Sequence, residues 1–183
     1  MKLYIIRHGQ TNWNRKGRIQ GKTDIELNEE GIEQAKEARK ILEEYPIDMI
    51  VSSTLKRARK TAEIINESKK VPILFKEALE ERGFGEFEGK TREEIQDEVW
   101  TSEILDNYNL NKQYKGVETI QELCSRVWNL IDELKENYTD KNILLVTHGG
   151  VTRAISGYFD GANENGILED LKLQNCGIKM YEM

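Results

Sequence analysis

The chain reads as an α/β protein, a three-layer α/β/α sandwich with a mostly parallel sheet and helices on both faces. Three observations predict this. Short apolar runs alternate with longer stretches of helical period along most of the 183 residues, the mark of repeated βαβ units. The runs Leu3–Ile6, Met49–Val51 and Ile143–Val146 are continuous rather than alternating, as strands covered on both faces require. Each run also leads into polar, chemistry-bearing residues: Arg7-His8-Gly9, Ser52-Ser53-Thr54 and Thr147-His148-Gly149. Open parallel sheets bind ligands beyond the carboxyl ends of their strands.

Taken in order, residues 2–7 predict the first strand, and residues 9–27 a long polar loop with Gly9, Gly17 and Gly21. A loop of that length inside a compact domain is usually functional. Asn28 is placed as an N-cap, with Glu29 and Glu30 in the first turn. Ile32, Ala35, Ala38, Leu42 and Tyr45 form the apolar stripe of the helix, which Pro46 stops. A second strand over 48–53 gives way to a helix from about Leu55 to Glu67, and Val71–Phe75 is the third strand.

Residues 79–90 are a Gly-punctuated acidic loop. Thr91 with Glu94 predicts a capping box for a short helix, and Thr119 with Glu122 one for a long helix. The long helix carries Ile120, Leu123, Val127, Leu130, Ile131 and Leu134 on one face. Between them, residues 100–116 have no period and hold Trp100, Tyr108 and Tyr114. The strand leading to His148, a helix over about Val151–Phe159 and a strand near 176–181 complete the chain. No repeat, low-complexity tract or dividing linker interrupts it, so residues 1–183 read as one domain.

Composition narrows the function. With 38% hydrophobic and 33% charged residues, the chain is globular with a charged surface. A net charge of −6 argues against a general nucleic-acid binder. No apolar run nears the roughly 20 residues of a membrane span, and none resembles an export signal. Cys124 and Cys176 lack metal-ligand spacing and read as reduced thiols, which together predict a cytoplasmic protein. Charge is uneven: residues 1–23 hold six basic residues and no acid, and Lys56-Arg57-Ala58-Arg59-Lys60 is a second basic patch. Local positive charge in an acidic chain suits a small-anion site.

Only two histidines occur, both end a strand pattern, and both precede Gly. Taken singly, each reads as a core residue; the shared setting predicts that they meet. Arg7 and Arg57 would join them with planar paired donors suited to phosphate oxygens, and a helix opening near Gly149 would add backbone amides. One imidazole can attack phosphorus while the other donates to the equatorial oxygens. An acid near neutral pH could protonate the leaving oxygen, and spacing alone does not choose among Glu80, Glu81, Glu86 and Glu88. Trp13, Trp100 and Trp128 read as packing residues.

Arg7-His8-Gly9-Gln10-Thr11 with Trp13-Asn14 resembles the signature of the histidine phosphatase superfamily, in its phosphoglycerate mutase-like branch with the broad-specificity and alpha-ribazole-type phosphatases. The resemblance runs along nearly the whole chain. It takes in residues 18–31, Ser52–Ala58 with Thr61-Ala62, Leu79–Gly85 with Glu88-Gly89, Gly116–Thr119 and Thr147–Gly150. It implies a phosphohistidine intermediate on His8. Arg7, Arg57 and His148 would bind the phosphoryl group, and Asn14, Gln20, Gly21 and Gly149 would add contacts. Glu81, at the position of the family's acid, would serve as acid and then base. It further implies no metal or other cofactor, and a small cap-like insertion over about 84–118.

Two features favour a phosphatase over a mutase. Family mutases carry a long basic cap to grip a second anionic group, whereas residues 92–110 hold one basic residue and six acids. Gln10 also stands where the mutases have Glu. The expected partner is a small phosphorylated substrate with little further negative charge, such as a sugar, nucleoside or ribazole phosphate, and turnover is expected to peak on the acid side of neutral. The oligomeric state is not legible.

Overall fold

The computed structural model describes residues 1–95, 107–109, 113, 116–169, 171 and 173–182. The apolar runs form strands β1 (Lys2–Arg7), β2 (Met49–Ser52), β3 (Ile73–Phe75), β4 (Ile143–Thr147) and β5 (Ile178–Glu182). They make one sheet in the order β3-β2-β4-β1-β5. Four strands run parallel, and β5 pairs antiparallel with β1 at the edge. The order matters for function: β4 inserts between β2 and β1, so three neighbouring strands end on one edge.

Helices α1 (Asn12–Arg15), α2 (Glu29–Leu42), α3 (Lys56–Lys69), α4 (Ile120–Asn137) and α5 (Gly149–Asp160) surround the sheet. Side chains of a strand alternate between faces, and here the alternation builds two cores. Leu3, Ile5, Val51, Ile143 and Leu145 pack against Leu123, Val127 and Ile131 of α4 and Val151, Ala154 and Ile155 of α5. Tyr4, Ile6, Ile50, Leu144 and Val146 pack on the other face against Ala38 and Leu42 of α2 and Ala58, Ala62 and Ile65 of α3. Burying apolar surface on both faces contributes roughly 25 cal/mol per Å², which is why these strands tolerate no polar alternation.

Several boundaries differ from the sequence expectation. The 9–27 loop contains the helical turn α1, because Thr11 caps Asn14 N–H while Asn14 Oδ1 accepts the Thr11 N–H. Helix α2 ends at Leu42, before Tyr45, whose ring instead meets Tyr4 edge-on at 5.3 Å. Helix α5 begins at Gly149 rather than Val151, with His148 as its N-cap. Strand β3 starts only at Ile73, after Pro72, whose ring nitrogen has no N–H for the ladder.

Short 3₁₀ turns at Glu77–Leu79 and Gly85–Phe87 shape the acidic loop. The Thr91–Glu94 capping bonds form around a turn, and no helix follows within 91–95. The Thr119–Glu122 box opens α4 as expected. Most of the 97–114 stretch, with Trp100 and Tyr114, lies outside the described residues. Tyr108 stacks on Trp128 at 5.5 Å. No helix among the described residues is long and apolar enough to cross a membrane.

Candidate active site

Strand pairing brings the site residues together. Arg7 on β1 stands level with Thr147 on β4, so the next residues, His8 and His148, leave adjacent strands side by side. Their rings lie 5.0 Å apart between centroids, both buried. His8 N–H donates to Thr147 O at 2.9 Å, which ties the two strand ends. Gly9 follows because a side chain has no room: a Cβ there would stand 2.4 Å from the carbonyl oxygen of Gly31.

The hydrogen bonds fix the state of each ring. His8 Nδ1 lies 2.7 Å from Gly9 O. A carbonyl only accepts, so Nδ1 carries the proton and Nε2 keeps its lone pair. His148 differs. Its Nδ1 accepts from Arg57 Nε at 3.2 Å, and its Nε2 lies 2.8 Å from Ser53 Oγ. A bond from His148 to a phosphoryl oxygen therefore requires Nδ1 to gain a proton and the Arg57 Nε–H to turn to the anion. Both imidazoles are held well below the usual histidine value, first by burial and then by the positive charge of Arg57; Arg7 adds to this in both.

Arg57 is fully buried at the start of α3. Its Nη1 donates to Thr23 O at 2.9 Å and its Nη2 to Gly21 O at 2.7 Å. Burial lowers its pKa, and the more distant negative field of Glu81, Asp24 and Glu88 opposes that. Arg7 donates through Nη1 to Leu173 O at 3.0 Å, while its buried Nε has no hydrogen-bond partner among the described residues. A Cβ built on Gly149 would stand 3.7 Å from Arg7 Cζ, so the first residue of α5 lies beside this guanidinium. Two cations, a helix N-terminus and two neutral imidazoles thus come together beyond the ends of β1 and β4, a setting that suits a dianion.

Glu81 is partly rather than fully buried. Its carboxylate accepts from Gly150 N at 3.0 Å and Arg82 N at 2.9 Å, capping α5. Asn14 and Gln20 meet at Thr11, whose hydroxyl faces both side-chain oxygens at about 3 Å (3.1 and 3.0 Å). Gly21 contributes its carbonyl to Arg57. It has φ +52°, and a Cβ on it would collide with Glu88.

Several supporting residues were not singled out from sequence. Ser53 holds His148, and Thr61 Oγ1 accepts the Gly9 N–H at 3.1 Å. The Glu88 carboxylate accepts from the backbone of Lys22, Thr23 and Phe84, which fixes the carbonyls that hold Arg57. Arg126 pairs with Glu118 at 2.6 Å and donates to Ala78 O and Glu81 O, bracing the acidic loop. Asn175 donates to His8 O at 2.8 Å. Ser53, Thr61, Glu88 and Glu118 fall inside the motifs, so their spacing was a usable signal; Arg126 and Asn175 had none. Among the described residues no group of three or more His, Cys, Asp or Glu could hold a metal ion.

Fold and site together define an α/β protein that brings two strand-end histidines and two arginines to one edge of a mostly parallel sheet. The chain belongs to the histidine phosphatase superfamily (branch 1), whose family model matches residues 3–183. It is 35% identical over 178 residues to the "uncharacterized phosphatase PhoE" of Bacillus subtilis (strain 168), covering 97% of this chain and 86% of that protein. It is 32% identical to a 2,3-bisphosphoglycerate-dependent phosphoglycerate mutase of Cytophaga hutchinsonii, covering 98% and 86%. The solved mycobacterial glucosyl-3-phosphoglycerate phosphatase Rv2419c superposes with a TM-score of 0.83 at 27% identity, covering 98% and 88%. The chain is thus an enzyme of a family that includes both phosphatases and mutases.

Proposed function

We propose that the protein is a phosphomonoester hydrolase that acts on a small phosphorylated metabolite through a phosphohistidine on His8. The observation that carries this reading is the His8 Nδ1–Gly9 O bond, which leaves Nε2 unprotonated in a site it shares with the buried Arg57 and the partly buried Arg7. Nε2 attacks phosphorus, the P–O ester bond breaks, and the leaving oxygen takes a proton from Glu81. Glu81 then removes a proton from water, the water oxygen attacks the phosphohistidine, and inorganic phosphate leaves. Arg7, Arg57, the Gly149 amide and the Asn14 and Gln20 amide groups hold the equatorial oxygens in the transition state, and His148 steers Arg57 through its Nδ1.

The mutase reading is supported by the mutase among the relatives. Against it, the Gln10 side chain accepts from Asn28 Nδ2 at 2.9 Å and serves the start of α2, and residues 92–110 are a poor clamp for a second anion. The test is to follow both phosphate release and phosphoryl transfer with an aryl phosphate and with 3-phosphoglycerate. Stoichiometric phosphate release is expected. Isomerisation of phosphoglycerate without release would establish the mutase instead.

A second expectation concerns Glu81. A Cβ at Gly150 would stand 2.5 Å from Glu81 Oε1. Gly150→Ala should therefore leave the fold intact, since a flexible carboxylate can yield, but displace the acid. Hydrolysis of a phenyl ester should fall by about 10- to 100-fold, whereas a dinitrophenyl ester, whose leaving group needs no proton, should be spared. Equal losses on both esters would count against the acid role.

A further inference from the structure

The loop that enters β5 wraps onto the turn that carries His8. Cys176 N–H donates to Arg7 O at 2.9 Å, and Arg7 N–H to Gly177 O at 3.3 Å. The loop closes on itself through a Gly177 N–H to Gln174 O bond of 2.8 Å. Cys176, third in this four-residue turn, has φ 57°. A left-handed residue at the third position of a turn is normally Gly or Asn, and a non-glycine residue held in that conformation stores strain of the kind found at functional sites.

The strained turn delivers one side chain to the site. Asn175 Nδ2 donates to His8 O at 2.8 Å and lies 3.5 Å from Asn14 Oδ1. The Asn14 oxygen is identified by chemistry, because the Thr11 backbone N–H that meets it at 3.0 Å can only donate. With Oδ1 held by Thr11 and Asn175, the Asn14 amide nitrogen is the end left to face a phosphoryl oxygen.

We propose that Asn175 is a positioning residue for phosphoryl transfer: it fixes the backbone of the His8 turn and the orientation of the Asn14 amide from a turn of its own. This rests on the hydrolase reading above. Its effect should appear in the transition state rather than in substrate binding, since it sets the aim of groups that act as phosphorus becomes five-coordinate.

The experiment measures kcat, KM and the inhibition constant of orthovanadate with an aryl phosphate, for wild type, Asn175→Ala, Asn175→Asp, Asn14→Ala and the double alanine variant. Both Asn175 variants should lower kcat about 10- to 100-fold, change KM less than about threefold and weaken vanadate by a factor close to the kcat loss. The double variant should lose less than the product of the single losses, as coupled groups do. Asn175→Asp keeps the size but puts acceptors against two oxygens, so it separates aim from packing even if the alanine variant folds poorly. Full kcat in Asn175→Asp, or losses that multiply, would overturn the assignment of Asn175 alone. A wild type that releases no phosphate would overturn the hydrolase reading and this inference with it.

Discussion

His8→Ala is expected to lower kcat by at least about 10⁴-fold, a loss typical of removing the nucleophile of a covalent mechanism. The anion site should survive the change, because Arg7, Arg57 and the start of α5 do not depend on the His8 ring for their partners. Vanadate affinity should therefore fall far less than kcat. His148 is the control. Its Nδ1 is occupied by Arg57 and its Nε2 by Ser53, so it has no free lone pair to attack with, and acid-labile phosphate trapped on the enzyme should be found on His8. Phosphate on His148, or a His8→Ala variant with substantial turnover, would invert the assignment.

The second large effect is on stability. Both imidazoles are held neutral, with pKa values well below 6.5, by burial and the nearby guanidiniums. Above about pH 6.5 they are neutral in the folded and unfolded chain alike and add no pH dependence. As pH falls below that value, the unfolded histidines take up protons that the folded ones cannot. Folding then weakens by up to about 1.4 kcal/mol per pH unit for each ring, until the folded pKa values are reached. Urea midpoints at pH 7.5 and 5.5 should show wild type losing markedly more stability than a His8→Gln/His148→Gln variant. Identical losses would refute the claim. Phosphate should shrink the difference, because a bound anion offsets the arginine charge that suppresses protonation. The same depression keeps the His8 nucleophile unprotonated in mild acid.

Much of this site could be read from the chain because its chemistry sits at strand ends. A buried strand declares itself by an unbroken apolar run, and the run tells where it stops; His8, His148 and the Ser52–Arg57 turn all follow from that. Arg57 stood out as a cation in an acid-free basic patch just beyond a strand end, suited to join Arg7 at an anion. The contributions that stayed hidden are backbone ones. Nothing in Gln174–Gly177 announces that Cys176 adopts a left-handed conformation or that Asn175 reaches a residue 167 positions away. Glu81 was expected as the family's acid, but that its carboxylate caps α5 from a partly exposed position was not legible, since helix starts are visible in sequence only when the cap is a near neighbour. The Thr11 turn was lost for a related reason: four residues are too few to show a helical period.

Strand β1 also sets the order in which the molecule can assemble. Its ladder partners on both sides are distant in the chain: Leu3 pairs with Ile143 of β4, 140 residues away, and β5 follows beyond that. Until β4 exists, Leu3–Ile6 has neither neighbour and presents two bare strand edges. Folding dominated by such distant pairings is slow, and a strand with both edges unpaired is open to aggregation until its partners fold. The histidine turn is tied down only when β4 and the loop before β5 have joined β1, so the His8–His148 pair forms after those distant segments have docked.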